Sequence, residues 1–277
     1  MRALAGSIGE RHVGRPRALA AAAAYLEEVL ASHGFAVSSQ EFTVERQRVR
    51  NLEVAVAGSA APGAVVVVGG HYDTVPGSPG ADDNASGVAA VLEIARLLAG
   101  APAGRDVRCV FFVNEEPPWF QTEDMGSLRY ARRLRERGEG VTAMLSLESI
   151  GYYADAPGSQ RYPFPLGLTR PKTGNFIGMV SNLQSRRLLH RAVASFERHT
   201  RFPVVGASLP AWVPGVSWSD HWAFWEQGFP AVMVTDTAPF RYPAYHSEAD
   251  TPDQLSYDVL ATVVTALASV VHDLAGV

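Results

Sequence analysis

The sequence is poor in cysteine and has no surplus of positive charge, and each shortage excludes a class of protein. Its 277 residues include a single cysteine, so no disulfide forms within the chain and the fold does not depend on an oxidising compartment. The net charge of -4 and the pI near 6.1 argue against a nucleic acid partner, because binding phosphates requires a basic surface. Hydrophobic residues make up 47% of the chain, a share typical of a globular protein with a substantial core.

Long apolar runs are also missing near the beginning of the chain. The opening residues, MRALAGSIGERHVGR, lack an apolar core long enough for a secretory signal. The longer stretch ALAAAAAYLEEVLASHGF carries Glu27 and Glu28 and ends at Gly34, which predicts an amphipathic helix with a glycine cap rather than a membrane span. We therefore expect a cytoplasmic protein with no membrane partner, and the sequence predicts no particular oligomeric state.

Apolar runs alternate with helical patterns over most of the chain. Examples of the runs are VVVVGG (65–70), VRCVFFV (107–113) and TAMLSLE (142–148). This alternation predicts an α/β fold with a mostly parallel central sheet and helices on both faces, while the more polar segments before it predict antiparallel edge strands. No stretch resembles an interdomain linker, so we expect a single catalytic domain over residues 1–277, with a long surface loop at 154–174 near the site.

Three of these apolar runs end in side chains that commonly bind metals. The first run ends at His71, the second is followed by Asn114, Glu115 and Glu116, and the third ends at Glu148. The carboxyl ends of parallel strands lie at one edge of a sheet, where open α/β folds build their sites. The coincidence of three such endings predicts one polar site at that edge.

The residue types at these ends suit a pair of divalent cations. Asp82, Glu116 and Glu148 supply three negative charges, and a bound hydroxide would supply a fourth. A mixture of carboxylate oxygen and imidazole nitrogen is typical of zinc, though not of zinc alone. His71 is the first imidazole, and Asp73, two residues later, is placed to hold its other ring nitrogen and fix the tautomer.

The second histidine has two candidates. His246 lies in a proline-rich loop after the run AVMVTD, again beyond a carboxyl end, and is favoured as the ligand. His221 begins a short helical pattern with Ser219 or Asp220 as the predicted N-cap, and both a capping role and a substrate-pocket role are open for this segment. The remaining histidines lie in helical or surface contexts that favour solvated or core side chains; they are His12, His33, His190, His199 and His272.

The motifs HYDTV, GADDNASG, NEE, LES and YHSEADTPD, in this order, resemble those of the zinc exopeptidases of peptidase family M28. That family comprises co-catalytic dizinc aminopeptidases and has glutaminyl cyclases as relatives. The resemblance covers the chain from about residue 20 to the end and implies the phosphorylase/hydrolase-like sandwich of the zinc exopeptidases. It makes Asp82, the first aspartate of the pair, the carboxylate that bridges two zinc ions, with a cis peptide between Asp82 and Asp83.

The same resemblance assigns the other roles. It implies that His71 and Glu148 complete the site of one zinc ion, that Glu116 and His246 complete the other, and that Glu115 is the general base. The well-studied dizinc aminopeptidases carry aspartate where this chain has Glu148. The extra methylene favours a shifted or less occupied ion on that side.

The implied function is a metal-dependent exopeptidase, with an aminopeptidase acting on peptide or aminoacyl substrates as the first hypothesis. A glutaminyl cyclase-like zinc aminoacyltransferase with one zinc is the alternative, to which Asp220 lends weight, and a catalytically silent interaction module is a third. A carboxypeptidase acting on acidic dipeptides would need an arginine for the substrate carboxylate, such as Arg161, Arg170 or Arg241. The candidates for contacting substrate are Trp119, Phe120, Asp220, His221 and Tyr245.

Overall fold

One sheet of eight strands organises the chain, whose computed structural model describes residues 1–59, 63–101, 103–164 and 166–276. The strands are β1 (Ser38–Val44), β2 (Gln47–Val56), β3 (Val65–His71), β4 (Val107–Phe112), β5 (Val141–Glu148), β6 (Ile177–Ser181), β7 (Val204–Ser208) and β8 (Ala231–Thr235). The helices are α1 (Pro16–Ser32), α2 (Gly87–Ala99), α3 (Gly126–Glu136), α4 (Arg186–His199), α5 (His221–Glu226), α6 (Ala238–Arg241) and α7 (Tyr257–Ala275), with short helical turns at Arg2–Ile8, Ala81–Ser86, Leu166–Leu168 and Pro252–Gln254.

The strand directions confirm the predicted fold class and add one reversal. The order across the sheet is β1-β2-β4-β3-β5-β8-β6-β7, and the four central strands β4, β3, β5 and β8 are parallel. At one edge β1 and β2 pair antiparallel, as the sequence predicts, and β2 also runs antiparallel to β4. At the other edge β6 runs antiparallel to β8 and carries β7 parallel to itself, an arrangement that the apolar pattern does not predict.

Alternating side chains of β3 show how the sheet is covered on both faces. Successive strand residues point to opposite faces, so Val66 and Val68 pack on one side and Val65 and Val67 on the other. The first side is covered by α1, α2, α4 and α7, and the second by α3 and α5. Because both faces are buried, the central strands are continuously apolar, which explains why they stand out in the sequence.

The last helix, α7, is long and apolar. By length and composition alone it is able to cross a membrane, with a mean hydropathy of 1.5 over its most apolar window. However, 56% of that window is buried inside the protein, where α7 contacts α2, α4 and β3. This burial is typical of a core helix.

The parallel register brings the predicted strand ends to one edge of the sheet. His71, the last residue of β3, pairs with Phe112 at the end of β4, and Glu148 pairs with Thr235 at the end of β8. The polar residues that follow these strands therefore share one crevice, as the sequence predicts.

The aromatic cluster under α3 and α5 generates a test of the second core layer. Phe224 is fully buried, and its ring centroid lies 6.2 Å from those of Phe112 and Tyr130. Replacing Phe224 by alanine removes these contacts and leaves a cavity, so we expect a loss of about 3–5 kcal/mol in the free energy of unfolding, measured by urea titration. Leu183→Ala, at a side chain that is 58% exposed, is the control and should change stability by less than about 0.5 kcal/mol. A loss below about 1 kcal/mol for Phe224→Ala would contradict this packing.

Candidate metal centre and the adjoining cavity

Three ligand-type side chains meet at the end of β3. His71 Nε2 lies 3.2 Å from an oxygen of Asp83 and 3.4 Å from an oxygen of Glu148. All three residues are buried, and together they form one of the groups able to hold a metal ion. This is the first half of the candidate centre.

The second half shares one carboxylate with the first. The other oxygen of Asp83 lies 3.0 Å from His246 Nε2, which is also 3.4 Å from an oxygen of Glu116. Asp83 thus presents one oxygen to each imidazole, the geometry of a bridging ligand.

The structure corrects the prediction that Asp82 is the bridging residue. The carboxylate of Asp82 points away from the histidines and accepts a hydrogen bond of 2.7 Å from the main-chain N–H of Gly151. The backbone of the turn Ala81–Ser86 leaves the helical region at Asp83, with φ -105° and ψ 91°, which turns the second aspartate rather than the first toward the imidazoles. The cis peptide likewise joins Asp83 to Asn84, not Asp82 to Asp83.

The spacing and the unpaired atoms of the cluster fit zinc. A tetrahedral ion bound at about 2.0–2.1 Å holds its ligand atoms about 3.3–3.4 Å apart, close to the separations of 3.0–3.4 Å found here. Several buried polar atoms in the cluster have no hydrogen-bond partner among the described residues; they are both ring nitrogens of His71, one oxygen of Asp83 and one oxygen of Glu116. Buried polar atoms are normally satisfied, so His71 Nε2 and the Asp83 oxygen beside it are placed as metal ligands are, while His71 Nδ1 faces Asp73.

The negative charges of the cluster attract protons, which compete with a metal ion for the same side chains. Burial alone would lower the pKa of His246, but the adjacent Asp83 and Glu116 raise it to about 10. Burial and the neighbouring Asp83 raise the pKa of Glu116 to about 8. Ligands bind metal in their deprotonated form, so metal binding at neutral pH would release protons.

Main-chain hydrogen bonds fix the loop that carries Asp83. The carboxylate of Asp250 accepts the N–H of Asp82 at 2.8 Å and that of Asp83 at 3.1 Å. The side-chain amide of Asn84 donates to the carbonyl of Leu147 at 2.8 Å, and its oxygen accepts the N–H of Ser149 at 3.0 Å. These contacts join the loop to the end of β5, so the positions of Asp83 and Glu148 are linked.

Asp73, predicted to hold the second ring nitrogen of His71, lies between His71 and the two glutamates. Its carboxylate is 3.5 Å from His71 Nδ1, longer than a good hydrogen bond, and it accepts the N–H groups of Glu115 and Glu116 at 3.2 Å each. The contacts shown by the structure therefore position the glutamate pair, in addition to placing an acceptor beside the imidazole.

Glu115 lies next to the cluster without being tied to it. One of its oxygens is 3.8 Å from His71 Nε2, and no described hydrogen bond engages its carboxylate. Burial, followed by the charges of Glu148 and Glu116, raises its pKa well above the usual value, although His71 opposes this shift. A carboxylate with free oxygens beside two ligand groups is placed to accept a proton from a water molecule.

A cavity of about 110 Å³ opens beside the metal centre and shares Glu148 with it. Glu148 contributes to its wall, as does Tyr245, whose ring stacks on His246 with centroids 3.8 Å apart. Most of the rest is apolar and comes from β6, β7, the loop 154–174 and the loops before α5 and around α6; it includes Tyr162, Phe176, Val180, Val205, Ala207, Leu209, Trp218, Met233 and Phe240. The predicted proximity of the loop 154–174 to the site holds for its described part.

The remaining predicted substrate contacts lie away from this cavity. Trp119 is half-buried against the main core, and Phe120 packs beside the cluster of α3 and α5. Neither residue belongs to the described cavity wall, so the structure gives their predicted substrate contacts no support. Trp218 and Phe240, which stack at 6.4 Å, line the cavity instead.

Asp220 and His221 are fully buried behind the centre rather than at the cavity wall. Asp220 begins α5 without a side-chain capping hydrogen bond, and burial raises its pKa to about 7. His221 Nε2 lies 2.7 Å from the carbonyl of Val216, the ring packs edge-on against Trp225, and burial lowers its pKa to about 4. His221 is therefore a neutral core histidine that donates to a backbone carbonyl.

Comparison with known proteins agrees with this geometry. Residues 51–271 match the model of "Peptidase family M28", and the chain belongs to that family. Over 260 residues it is 37% identical to the "Uncharacterized protein YfbL" of Escherichia coli (strain K12), an alignment that covers 91% of this chain and 79% of that protein. It is 27% identical over 219 residues to a "Probable leucine aminopeptidase" of Trichophyton verrucosum, covering 75% of this chain and 52% of the relative.

Two solved structures share the fold. A zinc aminopeptidase from Bacillus subtilis, BSAP, matches with a TM-score of 0.63 and 21% identity over 83% of this chain and 51% of that one. The glutaminyl cyclase of Fimbriiglobus ruber matches with a TM-score of 0.69 and 22% identity over 98% and 92% of the two chains. This chain thus spans about half the length of the aminopeptidases named here and nearly the full length of the cyclase.

The buried His221 predicts a specific pH dependence of stability. Its pKa is about 4 in the folded protein and about 6.5 when unfolded, so the unfolded chain binds the extra proton between these values and stability falls as the pH falls through that window. Between pH 7 and pH 4 we expect the free energy of unfolding of His221→Gln to fall by about 3 kcal/mol less than that of the wild type. It is measured by urea unfolding with a chelator present. His190→Gln, on the exposed face of α4, is the control. Parallel pH profiles for wild type and His221→Gln would show that this histidine is not held neutral.

Proposed function

We propose that the protein is a zinc-dependent aminopeptidase that cleaves the peptide bond after a bulky apolar amino-terminal residue. The observation that carries this proposal is the junction between the metal centre and the apolar cavity: Glu148 belongs to both, and Tyr245 of the cavity wall stacks on His246. Membership of peptidase family M28 supports hydrolysis of peptides. The names of the leucine aminopeptidase and zinc aminopeptidase described above support the type of peptidase and the metal.

The residues that would hold zinc follow from two of the three overlapping ligand groups, the third being His71 with Glu115 and Glu116. His71 and Glu148 would hold one ion and Glu116 and His246 the other, with Asp83 between them. Bound zinc supplies Lewis acidity, which lowers the pKa of a water molecule and polarises a carbonyl group. Glu148 has its own support, because one of its oxygens accepts from the hydroxyl of Ser219 at 2.8 Å and the other from Ser149 at 3.2 Å. These contacts fix a side chain that is longer than aspartate.

Glu115 is the general base in this proposal. Its carboxylate removes a proton from the attacking water and delivers it to the leaving amine, and burial raises the pKa of this carboxyl group in the direction that favours holding the proton between the two steps. Asp73 accepts the main-chain N–H groups of Glu115 and Glu116, so the base and the adjacent ligand are held in fixed positions relative to each other.

The cavity selects the amino-terminal side chain. Its walls are mostly apolar, so the cavity of about 110 Å³ favours a bulky apolar side chain such as that of leucine or phenylalanine. Tyr245 has no described hydrogen bond for its hydroxyl and lies between the cavity and the cluster, where it is placed to donate to the carbonyl oxygen of the substrate. Burial and the charges of Asp83 and Glu116 raise its pKa, so it stays protonated as a donor.

Cyclisation of amino-terminal glutamine is the second candidate function. The fold match to a glutaminyl cyclase of nearly the same length favours it, as does the buried Asp220. Against it stand the ligand groups around His71 and around His246, which are joined by Asp83 and suit two ions rather than one. Assays with leucyl and glutaminyl substrates on the same zinc-loaded preparation distinguish the two, since a cyclase would form pyroglutamyl product without hydrolysing leucyl peptides.

Replacing Glu115 by glutamine separates catalysis from metal binding. The variant keeps the size of the side chain but cannot accept a proton, so we expect kcat on a leucyl substrate to fall by about 10²–10⁴-fold while the zinc content is unchanged. Zinc is counted by elemental analysis and kcat by steady-state kinetics. Glu248→Gln, at an exposed glutamate of the same carboxyl-edge loop as His246, is the matched control. Wild-type turnover in Glu115→Gln would remove Glu115 from the role of base.

Filling the cavity tests the proposed specificity. Ala207 lies on β7 in the cavity wall, and Ala207→Phe would occupy the space needed by a large side chain. We expect kcat/KM to fall at least about tenfold for leucyl and phenylalanyl substrates and to change little for alanyl substrates, because only large side chains need the cavity. Ala261→Phe, at an exposed position on α7, controls for the added ring. An equal loss for all three substrates would show that the cavity does not bind the amino-terminal side chain of the substrate.

A further inference from the structure

A fully buried arginine outside the segment matched by the family model reaches the loop that carries the candidate metal ligands. Arg11 lies in the first fifteen residues, whereas the matched segment begins at residue 51. Its guanidinium donates to five main-chain carbonyls and to no described carboxylate; the acceptors are Leu4 (3.4 Å), Gly9 (3.1 Å), Tyr72 (2.6 Å), Pro79 (2.6 Å) and Gly80 (3.0 Å).

These acceptors lie at both ends of one loop. Tyr72 directly follows His71, and Gly80 lies three residues before Asp83. The planar guanidinium group therefore joins the residue at which the loop leaves β3 to the segment just before the bridging carboxylate. The main chain of Arg11 also pairs with the middle of the loop, since its N–H donates to the hydroxyl of Thr74 and its carbonyl accepts the N–H of Thr74.

The packing at Gly80 leaves no room for a side chain. Gly80 has φ of 62°, in the left-handed region that favours glycine. A Cβ atom there would lie 2.3 Å from the carbonyl oxygen of Asp83, 2.4 Å from Thr74 Cγ2 and 3.3 Å from the guanidinium of Arg11. The segment before Asp83 is therefore pressed between Arg11 and the turn that presents the bridging carboxylate.

The charge of Arg11 is placed to offset part of the negative charge of the cluster. Burial lowers its pKa to about 10, while Asp73, Asp250 and Asp83 oppose that shift, so the guanidinium remains charged at neutral pH. Because the guanidinium pairs with no carboxylate of the described residues, its charge acts on Asp73, Asp250 and Asp83 together.

We propose that Arg11 is a positioning residue of the metal centre. It holds His71 and Asp83 at the separation that zinc requires, and its positive charge reduces the repulsion among the buried carboxylates around them. This inference rests on the proposed zinc site. It means that a residue outside the segment matched by the family model contributes to the affinity for zinc.

The test compares zinc affinity in full-length variants that remain folded. Arg11→Met removes the charge and the fork, Arg11→Lys keeps the charge but cannot hold both ends of the loop, and Arg17→Met is the control at an exposed arginine of α1. The zinc dissociation constants are measured by competition with a chromogenic chelator, well below the unfolding midpoint of each apoprotein. Midpoints are recorded with and without zinc.

We expect Arg11→Met to bind zinc about tenfold to a hundredfold more weakly, Arg11→Lys to be intermediate, and Arg17→Met to match the wild type. The gain in unfolding midpoint that zinc produces should shrink in the same order. If Arg11→Met does not fold, Arg11→Lys decides the question through its zinc affinity.

A purely structural role would lower the midpoints and leave zinc affinity unchanged in the folded Arg11 variants, which would overturn the inference while the proposed function stands. A wild-type protein that binds no zinc would overturn both.

Discussion

The concentration of buried negative charge at the carboxyl edge of the sheet is the constraint on which the rest of the site depends. Asp83, Glu115, Glu116 and Glu148 are all buried within reach of two imidazoles. Like charges at such distances repel strongly where the local dielectric constant is low, so the cluster needs either bound protons or bound cations. The raised pKa values of Glu116 and both histidines describe the protonated alternative.

The protein holds this arrangement through main-chain contacts rather than through pairing of the ligands. Asp250 accepts the amides beside the bridging carboxylate, Asn84 joins that turn to β5, and Asp73 accepts the amides of the glutamate pair. Several ligand atoms are thereby left without other partners, among them Nε2 of His71 and one oxygen of Asp83, whereas the carboxylate of Glu148 also accepts hydrogen bonds from Ser219 and Ser149. A site organised in this way is prepared for metal before the metal arrives.

The sequence predicts the strand ends well because parallel register fixes them. Residues at the ends of buried apolar strands must lie at one edge, so His71 and Glu148 follow from pattern alone. The choice between Asp82 and Asp83 does not, because adjacent side chains point in different directions and the outcome depends on one pair of backbone angles at Asp83. The sequence pattern does not predict the cavity either. Strands β6 and β7 reverse direction, and loops far apart in the chain bring Trp218 and Phe240 to the cavity wall. Trp119, which lies soon after the glutamates in the chain, packs against the main core instead.

The most direct test of the central claim is anomalous scattering at the zinc absorption edge from crystals of the zinc-loaded protein. The account predicts two peaks about 3.5–4 Å apart on either side of the Asp83 carboxylate, one next to His71 and the other next to His246. Peaks that contact Asp82 instead, or no zinc peak between the two imidazoles, would contradict it.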